Sequence, residues 1–358
     1  MKFTVVGGVY KENCAWPAHD TIQGSAGRAA LCLSQLDKAV TVSLHAKIAQ
    51  SDESDLKELF AFNKNCSLNI EHSDCTTRFE YFHPLSEPKV SKPKQTGNLP
   101  VFSPVSGTVD VGVVFGMIEA NPVVSCGTAI YDPQNTYKPL LFSEMGCSAK
   151  RLAYVTNKNE LKLFYENKVG DAESIEVMAK WLYEFENAEV VVVKCGDQGA
   201  FVYSSDFQEW VLPYQTRSVF PIGSGDSFVA AFAYYWVEKG LSAVVAAQKA
   251  SVAAAYYVSH KTMSTADGIE IFEKELSFIH RKPRSSHVYL AGPFFTLAEL
   301  WMINEAKFHI ESFGMKVFSP YHDIGIGTAD QVVEKDIFRS THVDKAIASD
   351  LPTTKMFE

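Results

Sequence analysis

Val190-Val191-Val192-Val193-Lys194 is a β-branched run with no polar face. Such a run suits a strand covered on both sides, as in parallel sheets flanked by helices. Val109-Asp110-Val111-Gly112-Val113-Val114-Phe115 resumes the pattern, and Phe3 to Val6 gives a shorter version ending in Gly7-Gly8. Between Ala26 and Leu36 the apolar residues Ala29, Ala30, Leu33 and Leu36 fall at helical spacing, and Val40 to Leu44 then reads as a strand. The opening is therefore β-loop-helix-β. Length and composition predict further helices over Glu173 to Glu186 and Asp226 to Gly240. Strands alternating with helices imply an α/β, doubly wound fold.

Other segments lie outside that alternation. Thr76-Thr77-Arg78-Phe79-Glu80-Tyr81-Phe82 mixes aromatic and polar residues in near alternation, which predicts an exposed or edge strand. Thr76, Arg78, Glu80 and Phe82 should face one way, and Thr77, Phe79 and Tyr81 the other. Pro84 to Pro104 is rich in Pro, Ser and Lys and reads as an irregular excursion. Residues 279–286 are basic, polar and proline-bearing, and read as a linker after a first domain over 1–278. A fresh β-α-β pattern follows over 287–358: a strand from His287, a helix from Leu297 to Phe313 stopped by Gly314, and the strand Lys316-Val317-Phe318.

The chain of 358 residues is 46% hydrophobic and 21% charged, ordinary for a globular protein with a sizeable core. A formal net charge of −9 argues against general binding to nucleic acid, which needs clustered Lys and Arg. Seven cysteines with no CxxC pair suit buried small hydrophobes in a reducing compartment better than a disulfide framework. The N-terminal apolar run is too short for a signal peptide, and no window approaches a membrane span. A cytoplasmic protein with no membrane partner is the expectation.

Pro221-Ile222-Gly223-Ser224-Gly225-Asp226-Ser227-Phe228 precedes a helix rich in Ala and aromatic residues. Small residues at a helix N-terminus let backbone N–H groups approach an anion, and the helix dipole adds favourable potential. Asp226, in the first turn, suits a base that takes a proton from an attacking hydroxyl, while the amides of Gly223, Ser224 and Gly225 stabilise a transferred phosphoryl group. Taken alone the stretch reads better as a loop end with a capping Asp. Asn157 and Glu160, three apart, suit either magnesium placement or a capping box. Lys194, ending a buried strand, reaches either a phosphate at the carboxyl edge of the sheet or solvent. Ala246, Ala247, Ala250, Ala253, Ala254 and Ala255, with Ser251, form a small-residue helix built for close packing.

The Gly223–Asp226 turn resembles the Gly-Ala-Gly-Asp motif of PfkB (ribokinase-like) carbohydrate kinases, with Ser224 in place of Ala. Three more stretches resemble that family in its order: Gly24-Ser25-Ala26-Gly27-Arg28, its glycine-rich substrate segment; Asn157-Lys158-Asn159-Glu160, its Asn-x-x-Glu motif; and Val192 to Ala200, the strand-loop beside the nucleotide. The resemblance covers roughly residues 1–265. It implies a ribokinase-like doubly wound sheet with helices on both faces, and a small lid sheet that covers the sugar or mediates homodimerisation. It also implies ATP and Mg²⁺ as cofactors and a sugar or nucleoside acceptor. Asp226 would be the base in an anion hole of Gly223, Ser224 and Gly225. Asn157 and Glu160 would serve the metal, and Lys194, Gly196, Gly199 and Ser251 the nucleotide. Gly24, Gly27, Arg28 and either Glu12 or Asn13 would face the acceptor. The chain departs from the pattern at Arg28, where the family carries an Asn. A cation there implies an acceptor with a carboxylate or phosphate, or a lost sugar site.

Val288-Tyr289-Leu290-Ala291-Gly292-Pro293 resembles the opening of nucleoside 2-deoxyribosyltransferase-like proteins, and Glu299, Trp301, Glu305, Lys316 to Pro320 and Asp336 fit that pattern too. It implies a partial Rossmann-like β-α-β domain. Thr353 to Glu358 resembles the family's nucleophile segment superficially, with no buried strand expected before it, so the domain reads as truncated. Weak or absent transferase activity is then the expectation. A non-catalytic nucleotide-binding protein is a further alternative.

Overall fold

A computed structural model describes residues 1–91, 99–135, 138–218, 220–279, 287–312, 315–325 and 345–348. The chain divides into two compact units, Met1–Ile279 and His280–Glu358. The first is built on a nine-stranded sheet. Its spatial order is Gln208–Val211, Ala200–Tyr203, Val190–Lys194, Ser148–Asn157, Ser125–Asp132, Thr108–Phe115, Lys2–Val6, Thr41–Ala49 and Cys66–Ser73. Pairing is parallel from Val190–Lys194 to Cys66–Ser73 and antiparallel across the last two strands beyond Val190–Lys194.

The valine run does what its composition predicts. Val190 and Val192 enter one hydrophobic core, with residues of the helices Gly24–Leu36, Ser224–Ala233 and Ala243–His260. Val191 and Val193 enter the other, with Leu161 and Phe164 of Lys158–Lys168 and Met178 and Leu182 of Ile175–Phe185. Each such side chain contributes about 1.5–3 kcal/mol by leaving water. The helix expected to run to Gly240 instead ends its regular part at Ala233 and continues as a π-turn over Tyr234–Glu238.

A second sheet has four strands, in the order His19–Ile22, Lys11–Cys14, Arg78–Tyr81 and Lys89–Ser91. Arg78–Tyr81 is therefore not an edge strand. It pairs parallel with Lys11–Cys14 and antiparallel with Lys89–Ser91. The missed partner lies in the Pro/Ser/Lys-rich stretch read as irregular, which also holds the short strand Val101–Phe102. The alternation of faces is kept: Phe79 is buried against Tyr10 and stacked on Tyr81, while Arg78 is exposed.

In the second unit, His287–Ala291 pairs parallel with Lys316–Phe318 on one side and Lys345–Ala348 on the other. Val288, Leu290, Ile303 and Val317 form its core, with Ile303 carried by the helix Leu297–Ser312. The third strand, Lys345–Ala348, precedes Thr353 in the chain. Asp336, the 353–358 segment and nearly all of the expected linker lie outside the described residues. All seven cysteines are free thiols. Among the described residues, no helix is long and apolar enough to cross a membrane.

Candidate active site

Parallel strands bring their carboxyl ends to one edge, where ligands bind in open α/β sheets. Here Asp132, Asn157 and Lys194 end three neighbouring strands at that edge. The helix Ser224–Ala233 begins there, with Gly223 in the left-handed region at φ 83°. A cavity of about 610 Å³ is lined by Glu12, Ser25, Gln134, Asn157, Glu160, Lys194, Gly196 and Gly223 to Asp226, with Tyr10, Phe79 and Tyr81 as an aromatic wall.

Asp226 sits in the first helical turn and is 4% exposed. Its Oδ2 accepts from Arg28 Nη1 at 2.6 Å, and its Oδ1 accepts from Gln134 Nε2 at 2.6 Å. Arg28 is fully buried. It also donates to the Glu12 carboxylate, to Tyr257 Oη at 3.1 Å and to the Gly24 carbonyl at 3.2 Å. Burial pulls the Arg28 guanidinium down, but Glu12, Tyr257 and Asp226 outweigh it and hold it well above its ordinary value. Burial raises the Glu12 carboxyl despite its guanidinium partner. The donors of Arg28 are turned to protein groups, so the expectation of an anionic acceptor held by Arg28 is not met. A Cβ on Gly223 would be driven into that guanidinium, which gives the glycine a steric reason besides its backbone angle.

The second charge cluster surrounds Lys194. Its ammonium donates to Asp132 Oδ2, and Gln134 Nε2 donates to the same oxygen at 3.0 Å. Asp132 is fully buried, and its Oδ1 has no protein partner. Burial, opposed by Lys194 and reinforced by Glu160, pushes the Asp132 carboxyl up to about 7. Burial likewise raises Glu160, with Lys194 acting against it. The Lys194 ammonium is lowered by burial, yet Asp132 and Glu160 hold it above its usual range.

The capping reading of Asn157 and Glu160 is realised in full. Asn157 Oδ1 accepts from the amides of Asn159 at 2.9 Å and Glu160 at 3.0 Å, and Glu160 Oε2 accepts from Asn157 N at 3.0 Å and Thr156 Oγ1 at 2.9 Å. Both residues still line the cavity.

The other expected residues divide. Strand alternation turns Glu12 inward and Asn13 out, onto a separate cavity lined by Lys11, Asp20 and Arg78. Gly24, at φ 58°, lets the chain pass against the backbone of Gly8 and Tyr10, and Gly27 packs on Val9. Gly196 lines the site, whereas Gly199, at φ 87°, serves the turn against Val211 and Pro213, and half-buried Ser251 is not among the lining residues. The Ser224 amide is already bonded to the Pro221 carbonyl at 3.0 Å, so it has a fixed partner within the turn.

Asp132, Gln134 and Tyr257 escaped the sequence reading. An acid ending an apolar strand just before Pro133 is the signal that points to Asp132; Tyr257 sits on an otherwise packing helix and carries none.

Residues 149–267 match the family model of pfkB family carbohydrate kinases. Curated deoxyribokinases of Salmonella typhi and Salmonella typhimurium are each 30% identical over 135 residues, 37% of this chain. The match spans 44% of those relatives' length, less than half. A ribokinase from Thermotoga maritima superposes with a TM-score of 0.58 at 16% identity, covering 76% of this chain and 99% of that one. A putative ribokinase II from E. coli gives 0.59 at 18%, covering 77% and 100%. A Vibrio cholerae fructokinase, solved with fructose, ADP and calcium, gives 0.57 at 12%, covering 76% and 98%. The fold of the first unit is ribokinase-like.

Proposed function

We propose that the first unit transfers the terminal phosphoryl group of ATP to a hydroxyl of a sugar, nucleoside or related small molecule. The observation that carries this reading is the Asp226 carboxylate, which lies in the first turn of a helix behind a glycine turn and lines a cavity shared with Lys194 and Glu160. Asp226 takes the acceptor's proton as the acceptor oxygen attacks the γ-phosphorus, and ADP leaves. The positive end of the helix Ser224–Ala233 favours the charge that develops on the phosphoryl oxygens. Lys194 offsets phosphate charge from the neighbouring strand end.

The buried Asp132 Oδ1 without a protein partner, together with the Glu160 carboxylate, fits a hard divalent cation. Asn157 fits less well, because its Oδ1 is committed to two amides. A magnesium ion held there by Asp132 and Glu160 would neutralise phosphate charge. The deoxyribokinase relatives and the aromatic wall of Tyr10, Phe79 and Tyr81 make deoxyribose and deoxynucleosides the first acceptors to try.

The test is ADP release over a panel of sugars and nucleosides, with wild type and Asp226→Asn. The variant should lose about a hundredfold to ten-thousandfold in kcat, the usual worth of a positioned base. Equal turnover by the two proteins removes Asp226 from the mechanism.

A further inference from the structure

Gln134 follows Asp132 and Pro133 on the loop leaving the strand Ser125–Asp132. Its amide nitrogen donates to Asp226 Oδ1 at 2.6 Å and to Asp132 Oδ2 at 3.0 Å. Ser25 Oγ donates to its amide oxygen. An amide nitrogen carries two hydrogens, one for each carboxylate, and its oxygen only accepts. A flipped amide would turn an oxygen toward two carboxylates and lose both of those bonds, so the network itself sets the orientation.

The two carboxylates belong to the two charge clusters. One is the base held by Arg28; the other is the acid held by Lys194. Only Gln134 hydrogen-bonds both of them among the described residues. With Arg28 on Oδ2 and Gln134 on Oδ1, the plane of the Asp226 carboxylate is fixed from both sides. One lone pair of Oδ1 stays directed away from the amide. General-base catalysis depends on that direction, because the acceptor hydroxyl must lie within hydrogen-bond reach along it.

We infer that Gln134 is a positioning residue for Asp226: its amide orients the base toward the acceptor hydroxyl and screens it from the Asp132 carboxylate. This inference rests on the kinase reading above. Gln134 acts through Asp226 rather than by holding the substrate. Its loss should therefore appear in kcat rather than in the acceptor KM.

The experiment compares wild type, Gln134→Leu, Gln134→Asn and Asp226→Asn by steady-state ADP release at a fixed pH, varying the concentration of the best acceptor of the panel. Thermal unfolding of each protein is followed in parallel. Gln134→Leu should keep the wild-type melting profile, lose about tenfold or more in kcat, and leave the acceptor KM within about twofold. Gln134→Asn, which keeps an amide on a shorter arm, should recover part of kcat. A Gln134→Leu protein with wild-type kcat, or with a raised KM and unchanged kcat, overturns the inference while Asp226→Asn still reports the base. If Gln134→Leu melts early and Gln134→Asn, folded, shows no loss or no rescue relative to it, the role is structural and the inference fails. Wild type inactive on the whole panel, or Asp226→Asn as active as wild type, sinks the kinase reading and this inference with it.

Discussion

The two charge clusters of the site are built differently. Around Arg28 the donors meet Glu12, Asp226, Tyr257 and Gly24, and the guanidinium is fully buried. Around Lys194 the side chain keeps 15% exposure, and the Asp132 carboxylate keeps an oxygen with no protein partner. In the closed cluster Arg28 and Glu12 are the scaffold that holds the base Asp226, because opening it leaves charge stranded in a low-dielectric interior. An open one suits a ligand that completes it.

The strongest way to break this contrast is to empty the closed cluster. Arg28→Met should cost about 3–5 kcal/mol of stability, because Glu12 and Asp226 lose their shared cation. Urea unfolding of the full chain measures it, and a cost below about 1 kcal/mol would mean that the network is not scaffold. Next comes Gly223→Ala, which strains a φ of 83° and pushes a methyl group into the guanidinium. About 2–3 kcal/mol of destabilisation is expected by the same measurement. The partly open Lys194 cluster should respond to metal rather than to unfolding. With Asp132 pushed up to about 7, its carboxyl is largely protonated at pH 6 and ionised at pH 8. A divalent cation binds the ionised form, so Mn²⁺ affinity measured calorimetrically should tighten by up to about tenfold per pH unit below 7 and level off above it. Asp132→Asn should flatten that slope. Stability has the opposite sign: an acid raised by folding stabilises fully below its unfolded value near 4, and that contribution fades as pH rises through about 7.

Much of this arrangement was legible in the chain itself. Val190 to Val193 declares a strand buried on both faces because no residue in it is polar. Gly223 to Asp226 declares a turn into a helix because small residues and an acid precede an apolar helical run. Arg28 was legible as an anomaly but not in its direction: a cation in a substrate-like segment suggests an anion in solution, and only folding shows that the anions are Glu12 and Asp226. Gln134 was invisible for another reason. Two of its three partners lie 92 and 109 positions away, at Asp226 and Ser25, and a lone Gln in a loop carries no periodicity. The pairing of Arg78–Tyr81 was misread because its neighbour Lys89–Ser91 is embedded in Pro, Ser and Lys, a composition that ordinarily marks loops.

Glu12 lies on Lys11–Cys14, an inner strand of the four-stranded sheet over the cavity, and its carboxylate is clamped beneath by Arg28. That sheet is thus riveted at one point to the helix Gly24–Leu36. It cannot lift away like a hinged cover without parting a buried ion pair. Any breathing of the site must be flexing of the margins beyond the rivet, where Trp16 and Phe82 stand 76% and 64% exposed. Amide hydrogen exchange would register it as slow exchange at Glu12 and fast exchange at Trp16 and Phe82.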